Sequence, residues 1–263
     1  MKRIFLLIVL SLAAMTATGQ EKVKLYIAGD STAQTYDPEQ TLMRGWGQEI
    51  QQFFDADKLE VDNRAIGGRS TGSFIREERW KGIVDDLKAD DWVLIQFGHN
   101  DTSTNPQRHV EPDEYKDNLM NMCSDVMAKG AHPIILTSIV MRTHRDGVLV
   151  DERPHFAEYI QLARDAASEI CVPMIDMNQL TTNLVLELGD EKSKELYYHV
   201  KVGDHPKLQA DKKDDTHLRE AGAVTYAKML AEAIKGVFEM AGAEVELSGS
   251  YDGWKPNMES PIL

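Results

Sequence analysis

Apolar residues fall into five short, nearly unbroken runs, at 24–28, 59–66, 91–97, 133–140 and 172–177. None alternates strictly with polar residues, so each reads as a strand buried on both faces, as in a parallel sheet. The segments between them keep helical spacing instead. Residues 46–54 place Ile50, Phe53 and Phe54 together, and 112–129 and 154–170 each open with a proline. In the first turn of a helix the missing N–H of proline costs nothing. Residues 220–240 carry Ala223, Ala227, Leu230, Ile234 and Val237 on one face. Strand and helix in alternation predict an α/β three-layer sandwich, a five-stranded parallel sheet with helices on both faces and right-handed crossovers. Two long loops, 141–153 and 197–213, are expected to shape substrate binding. No repeat or Pro/Ser-rich linker suggests a second domain, and the tail 243–263 shows no period.

The start of the chain has a different pattern. Met1-Lys2-Arg3 precedes an apolar stretch over 4–15 and then Ala17-Thr18-Gly19, the layout of a signal peptide over 1–19. The stretch is shorter than the roughly 20 apolar residues a membrane span needs, although a retained signal anchor is the alternative. Cleavage after Gly19 would leave a domain over 20–242, secreted or periplasmic and free of the membrane. No cysteine near that point indicates a lipid anchor. One α/β domain accounts for the 263 residues. A net charge of −14 argues against nucleic acid and anionic membranes as partners. Export permits a disulfide between Cys123 and Cys171. Cys123, however, lies on a helix face with Leu119, Met122 and Val126, and Cys171 precedes a buried strand, so both read as small core residues.

Four short polar blocks carry the candidate chemistry. Gly29-Asp30-Ser31-Thr32, Gly67-Gly68-Arg69-Ser70 and Phe97-Gly98-His99-Asn100-Asp101 each follow an expected strand, and Asp214-Asp215-Thr216-His217 lies in an expected polar loop. An open parallel sheet gathers its functional loops at one edge. A serine hydroxyl needs a base within hydrogen-bond reach, and the base needs an orienting group. His217 suits the first role. Asp214, three residues earlier, can curl back in a tight turn to accept the imidazole N–H. Asp215 and Asp211 suit that role less well by spacing, and the block alone would also fit a capped turn before a helix. The Ser31 N–H, the Gly68 N–H and the Asn100 amide are candidate donors to an oxyanion. Alone, the glycines would pass for a tight turn and the asparagine for a loop cap.

Two rival patterns compete with this one. Gly68-Arg69-Ser70-Thr71-Gly72 fits the Gly-x-Ser-x-Gly nucleophile elbow, which would make Ser70 the nucleophile. That fold needs several strands before its elbow, and only two precede Ser70. Metal chemistry is the other rival, with Asp30, His99, Asn100, Asp101, Asp214 and His217 as ligands. The chain has Gly-His-Asn-Asp where a metallophosphoesterase carries Gly-Asn-His-Asp/Glu, and it lacks His-Glu-x-x-His. His109, His132, His144, His155, His199 and His205 show no ligand spacing and read mostly as surface or loop residues.

With these blocks and Arg44-Gly45-Trp46-Gly47-Gln48, Asn63-Arg64-Ala65-Ile66 and Gln96, the chain resembles the SGNH (GDSL-type) hydrolases, and within them the rhamnogalacturonan acetylesterases. The likeness runs to about the last expected helix and leaves out the tail after Gly242. It implies a flavodoxin-like sheet with catalysis at the C-terminal strand edge. Ser31 would be the nucleophile, His217 the base and Asp214 its partner, with Ser31, Gly68 and Asn100 forming the oxyanion hole. No metal or organic cofactor is implied. The implied reaction removes acetyl groups from acetylated galacturonate in pectin. Related enzymes act on acetylated xylan or small acetylated sugars. Arg69, Trp46 and His99 are the candidates for substrate contact. Trp80 is another aromatic that could stack on a sugar, although helix packing suits both tryptophans better. Pectin is anionic and the chain acidic, so local cations would have to offset the repulsion. Arg69, Arg76, Arg79, Lys201, Lys207, Lys212 and Lys213 are available, or are ordinary solvated surface. A metal-dependent phosphoesterase and a non-catalytic glycan-binding protein are the readings from other classes.

Overall fold

The computed structural model describes residues 22–150, 153 and 155–242. The signal peptide expected over 1–19 and the tail 243–263 lie outside them. Along the chain run β1 (Val23–Gly29), α1 (Trp46–Glu49) with a 3₁₀ turn (Ile50–Phe53), β2 (Leu59–Asn63), α2 (Thr71–Arg76), α3 (Arg79–Asp86), β3 (Trp92–Gln96) and α4 (Pro112–Ala128). Then follow β4 (His132–Leu136), β5 (His144–Arg145), β6 (Val148–Leu149), α5 (Phe156–Glu169), β7 (Met174–Ile175), α6 (Met177–Ser193), β8 (Tyr197–Val200), β9 (Lys212–Leu218) and α7 (Glu220–Met240). Among these residues no helix is long and apolar enough to cross a membrane.

Five strands form one parallel sheet in the order β2-β1-β3-β4-β7. Alternate side chains of a strand leave by opposite faces, and here both faces are dry. Leu25, Ile27, Trp92, Leu94, Ile134 and Leu136 pack under α1, α6 and α7. Tyr26, Ala28, Val93, Ile95 and Ile135 pack under α2–α5. That double burial is why the apolar runs lack alternation. The face expected of the last helix is buried throughout α7.

Several expected boundaries give way to tertiary structure. The fifth run pairs through Met174 and Ile175 only, because Met177 already opens α6. That helix had no place in the sequence reading, although Leu180, Leu184 and Leu188 recur at helical spacing and pack on the core. The loop over 141–153 contains the β5–β6 hairpin. The loop over 197–213 shrinks to 201–211, because its ends belong to β8 and β9. The polar loop expected around Asp214 is therefore a strand. Tyr198 pairs with Asp214, but Tyr197 pairs with Leu218, so Asp215, Thr216 and His217 bulge out of the ladder. The two cysteines are free thiols: Cys123 is buried, with its thiol pushed up to about 12, whereas Cys171 is exposed and not in the core. At φ 54° it makes the left-handed turn that ends α5.

Candidate active site

Ser31 stands on the turn that leaves β1. Asp30 O accepts the N–H groups of Ala33 (3.2 Å) and Gln34 (3.1 Å), and Asp30 Oδ1 accepts both the N–H and the hydroxyl of Thr32 (2.9 Å each). Asp30 is fully buried. Burial opposes its charge, but the adjoining His99 ring and the Thr32 donors outweigh it and hold the carboxyl below its ordinary range. The Tyr36 hydroxyl donates to Ser31 O (2.8 Å), and Trp46 N–H donates to Thr32 O (2.9 Å). A Cβ on Gly45 would fall 2.3 Å from Gln34 O, so only glycine lets α1 begin against this turn.

His217 reaches Ser31 from 186 residues away, with Nε2 2.9 Å from its Oγ. Its Nδ1 lies 2.7 Å from Asp214 Oδ2. A carboxylate only accepts, so Nδ1 carries the proton and Nε2 is left to receive the one on Ser31. Asp214 Oδ1 accepts the N–H groups of Thr216 (2.8 Å) and His217 (2.9 Å), which is the curled turn that the three-residue spacing predicts. Burial would raise the Asp214 carboxyl, but His217 and these two N–H groups hold it at about 2. Burial lowers His217, and the Asp214 hydrogen bond and charge, helped by Asp30, reverse that and raise it above 6.5. The other two aspartates are committed elsewhere. Asp215 accepts from Arg142 Nε (2.9 Å) and pairs with His199 Nε2 (2.8 Å), and Asp211 accepts the Val202 N–H (2.8 Å).

The opposite wall comes from the turns after β2 and β3. Gly68 takes φ 78°, a conformation side chains disfavour. Among the described residues, none accepts the N–H of Ser31 or of Gly68, whereas Gly67 N–H is taken by Gln34 Oε1. Asn100 is buried, and its Nδ2 donates to Arg69 O (3.0 Å) with a longer contact to Asp30 Oδ2 (3.4 Å). One amide hydrogen is thus anchored and the other is weakly held near Ser31. Asp101 ties the two turns together by accepting from Thr71 N (2.9 Å), Thr71 Oγ1 (2.6 Å) and Gly98 N (3.0 Å). Burial pushes its carboxyl up to about 7 in spite of these donors, and the charge of Asp30 adds to the rise.

The expected substrate contacts Trp46, His99 and Arg69 are corrected or narrowed, and the packing that suited both tryptophans better is what the structure shows. Trp46 is fully buried and donates to Gln96 Oε1 (2.8 Å), so it supports the site from beneath and offers no sugar platform. Trp80 is likewise buried, with Nε1 on Asp125 (2.9 Å). His99 is buried too, stacked on Phe156 with Nε2 3.1 Å from Ile139 O and Nδ1 3.4 Å from Asp30, so it cannot meet substrate directly. Arg69 stays at the rim, pinned to Gly67 O (2.8 Å) and Glu77 (3.0 Å). Ser70 is buried as the N-cap of α2, in a capping box with Ser73, and its hydroxyl is spent there. Gln96, Tyr36 and Arg142 hold the site together without having been singled out by sequence. Gln96 directly precedes the Phe97–Asp101 block, while nothing local marks the other two. Among the described residues no group of three or more His, Cys, Asp or Glu is placed to hold a metal ion.

A cavity of about 710 Å³ opens beside His217, lined by residues of β9 together with Met43, Tyr198 and Arg153. The sequence profile of the GDSL-like lipase/acylhydrolase family matches residues 27–224. A probable rhamnogalacturonan acetylesterase of Bacillus subtilis (strain 168) is 36% identical over 213 residues, 80% of this chain and 92% of that protein. A rhamnogalacturonan acetylesterase of the same organism is 34% identical over 217 residues, 82% and 91% of the two chains. Among solved structures, the protein YXIM of Bacillus subtilis superposes with a TM-score of 0.68 at 27% identity, covering 82% of this chain but 57% of that longer one. An acetylxylan esterase of Geobacillus stearothermophilus, 20% identical, shares the fold with a TM-score of 0.56 over 84% and 95% of the chains.

Proposed function

This chain belongs to the GDSL-like lipase/acylhydrolase family, and from that premise we propose that it is a secreted or periplasmic carbohydrate O-acetylesterase using a Ser-His-Asp acyl-enzyme mechanism. The names of the two Bacillus relatives support acetylated rhamnogalacturonan as the substrate. The observation that carries the chemistry is the unbroken relay from Asp214 through His217 to Ser31 Oγ, at 2.7 and 2.9 Å.

In this reading Ser31 Oγ attacks the acetyl carbonyl carbon and passes its proton to His217 Nε2. The carbonyl oxygen becomes an oxyanion facing the N–H groups of Ser31 and Gly68 and the Asn100 amide. Collapse breaks the bond to the sugar oxygen, which leaves with the proton from His217 and stays on the carbohydrate as a hydroxyl. Water then attacks the acetyl-enzyme with His217 as base, releasing acetate and restoring Ser31. Asp214 stays ionised throughout and stabilises the imidazolium as it forms.

Turnover of p-nitrophenyl acetate by Ser31→Ala and Ser70→Ala variants tests the assignment. Ser31→Ala is expected to lose about 10⁵- to 10⁶-fold in kcat, and Ser70→Ala to keep its turnover while losing about 1 kcal/mol of stability. An active Ser31→Ala protein beside a dead Ser70→Ala protein would overturn it. Acetate release from acetylated rhamnogalacturonan, homogalacturonan and xylan then ranks the polymers.

A further inference from the structure

Given the proposed reaction, the position of the sugar follows from the proton. His217 Nε2 has to deliver its proton to the departing oxygen, so the alcohol half of the ester lies on the His217 side of Ser31 and the acetyl oxygen on the Gly68–Asn100 side. The 710 Å³ cavity opens on that His217 side. Its lining carries charges of both signs. Asp214 is committed to His217, and Asp215 to Arg142 and His199. The wall also holds Lys212, Lys213 and Arg153, and no carboxylate among the described residues pairs with Lys212.

The pleat of β9 singles out one of these cations. Tyr198 pairs with Asp214 and Val200 with Lys212, so Lys212 shares one face of the hairpin with Asp214 and Tyr198, whereas Lys213, which also lines the cavity, lies on the other face with Asp215. We infer that Lys212 is a specificity-determining residue that recognises a carboxylate on the sugar carrying the departing oxygen. This rests on the reading of the substrate as an acetylated uronate polymer. A chain with a net charge of −14 repels such a polymer at long range. Lysine charge beside His217 opposes that repulsion where binding is decided, and it selects acidic over neutral sugars.

The test compares kcat/KM on acetylated rhamnogalacturonan oligosaccharides with kcat/KM on acetylated xylo-oligosaccharides, which lack a carboxylate. Lys212→Met should lower the acidic-to-neutral ratio by about 10- to 100-fold, the range of one charge-assisted hydrogen bond, and mainly through KM. Lys201→Met removes the same charge from the exposed β8–β9 connection, outside the cavity, and should move the ratio by less than about threefold. Raising ionic strength should bring the wild-type ratio down toward that of Lys212→Met. Equal losses on both substrates, or an equal change in Lys201→Met, would overturn the inference. A wild-type enzyme with no preference for the acidic substrate would defeat the uronate reading itself. A wild-type preference that survives Lys212→Met would defeat only the role of Lys212.

Discussion

The two halves of this site are built by different means. Ser31, Gly68 and Asn100 stand at the ends of neighbouring parallel strands, in turns whose backbones are anchored by Thr32, Gln34 and Asp101. Asp214 and His217 belong to a two-stranded hairpin outside that sheet, in a bulge that breaks its register. Sheet topology alone assembles the first half, because parallel strands all deliver their following turns to one edge. The second half has to be held against that edge by side chains. Arg142, nearly buried, does this by reaching Asp215 (2.9 Å) and Asp190 (2.7 Å), while its N–H donates to Asp215 O (2.8 Å). Arg44 N–H also donates to Leu218 O (3.0 Å), joining the end of β9 to the segment before α1. The proposed oxyanion donors are thus rigid by architecture, and the proposed base is rigid by clamping.

Among the residues around Ser31, breaking the base half should have the largest effect. Asp214→Asn removes the acceptor that sets the His217 tautomer, and kcat should fall by about 10⁴-fold. The proposed mechanism needs neutral His217, whose pKa is raised above 6.5 chiefly by Asp214, so wild-type kcat/KM should fall as pH drops through a midpoint above 6.5. In Asp214→Asn that midpoint should move to lower pH. A pH profile with an unmoved midpoint would remove Asp214 from its role. On the oxyanion half, Asn100→Ala should lower kcat by about 10²- to 10³-fold with little change in KM. A loss confined to KM would place Asn100 in ground-state binding instead.

The clamp is a matter of stability more than chemistry. Arg142→Met leaves Asp215 and Asp190 without their shared cation. A fully buried carboxylate so stranded costs about 3–5 kcal/mol, and the partial exposure of both reduces this to roughly 2 kcal/mol. Denaturant unfolding should register that loss, along with a drop in kcat as the bulge loosens. Unchanged stability with full activity would show that the hairpin holds its place without Arg142.

Much of this was legible from local pattern. The five apolar runs, the Gly-rich turn after β2 and the Asn100 block each announce themselves, because a doubly buried strand has to be apolar and a turn beyond it need not be. The i, i+3 pairing of Asp214 and His217 is equally local, since the bulge is closed by their own backbone. Less legible was the strand around them. Lys212-Lys213-Asp214-Asp215-Thr216-His217 has no apolar periodicity, and it becomes a strand only because β8 offers it a hydrogen-bonding edge.

What the sequence by itself determined was the sheet, the order of its polar turns and the local pairing of Asp214 with His217. Each of these depends on residues close together in the chain. Tertiary structure alone decided which polar and aromatic side chains face solvent. His99 and Trp46, both candidates for substrate contact in the sequence, are buried beside the Ser31 turn, where Ile139 and Gln96 satisfy their N–H groups. It also decided which aspartate serves His217, because Arg142 and His199, distant in sequence, draw Asp215 away. Burial and long-range charge pairing depend on partners that no local window contains, and those partners set where the site ends and its support begins.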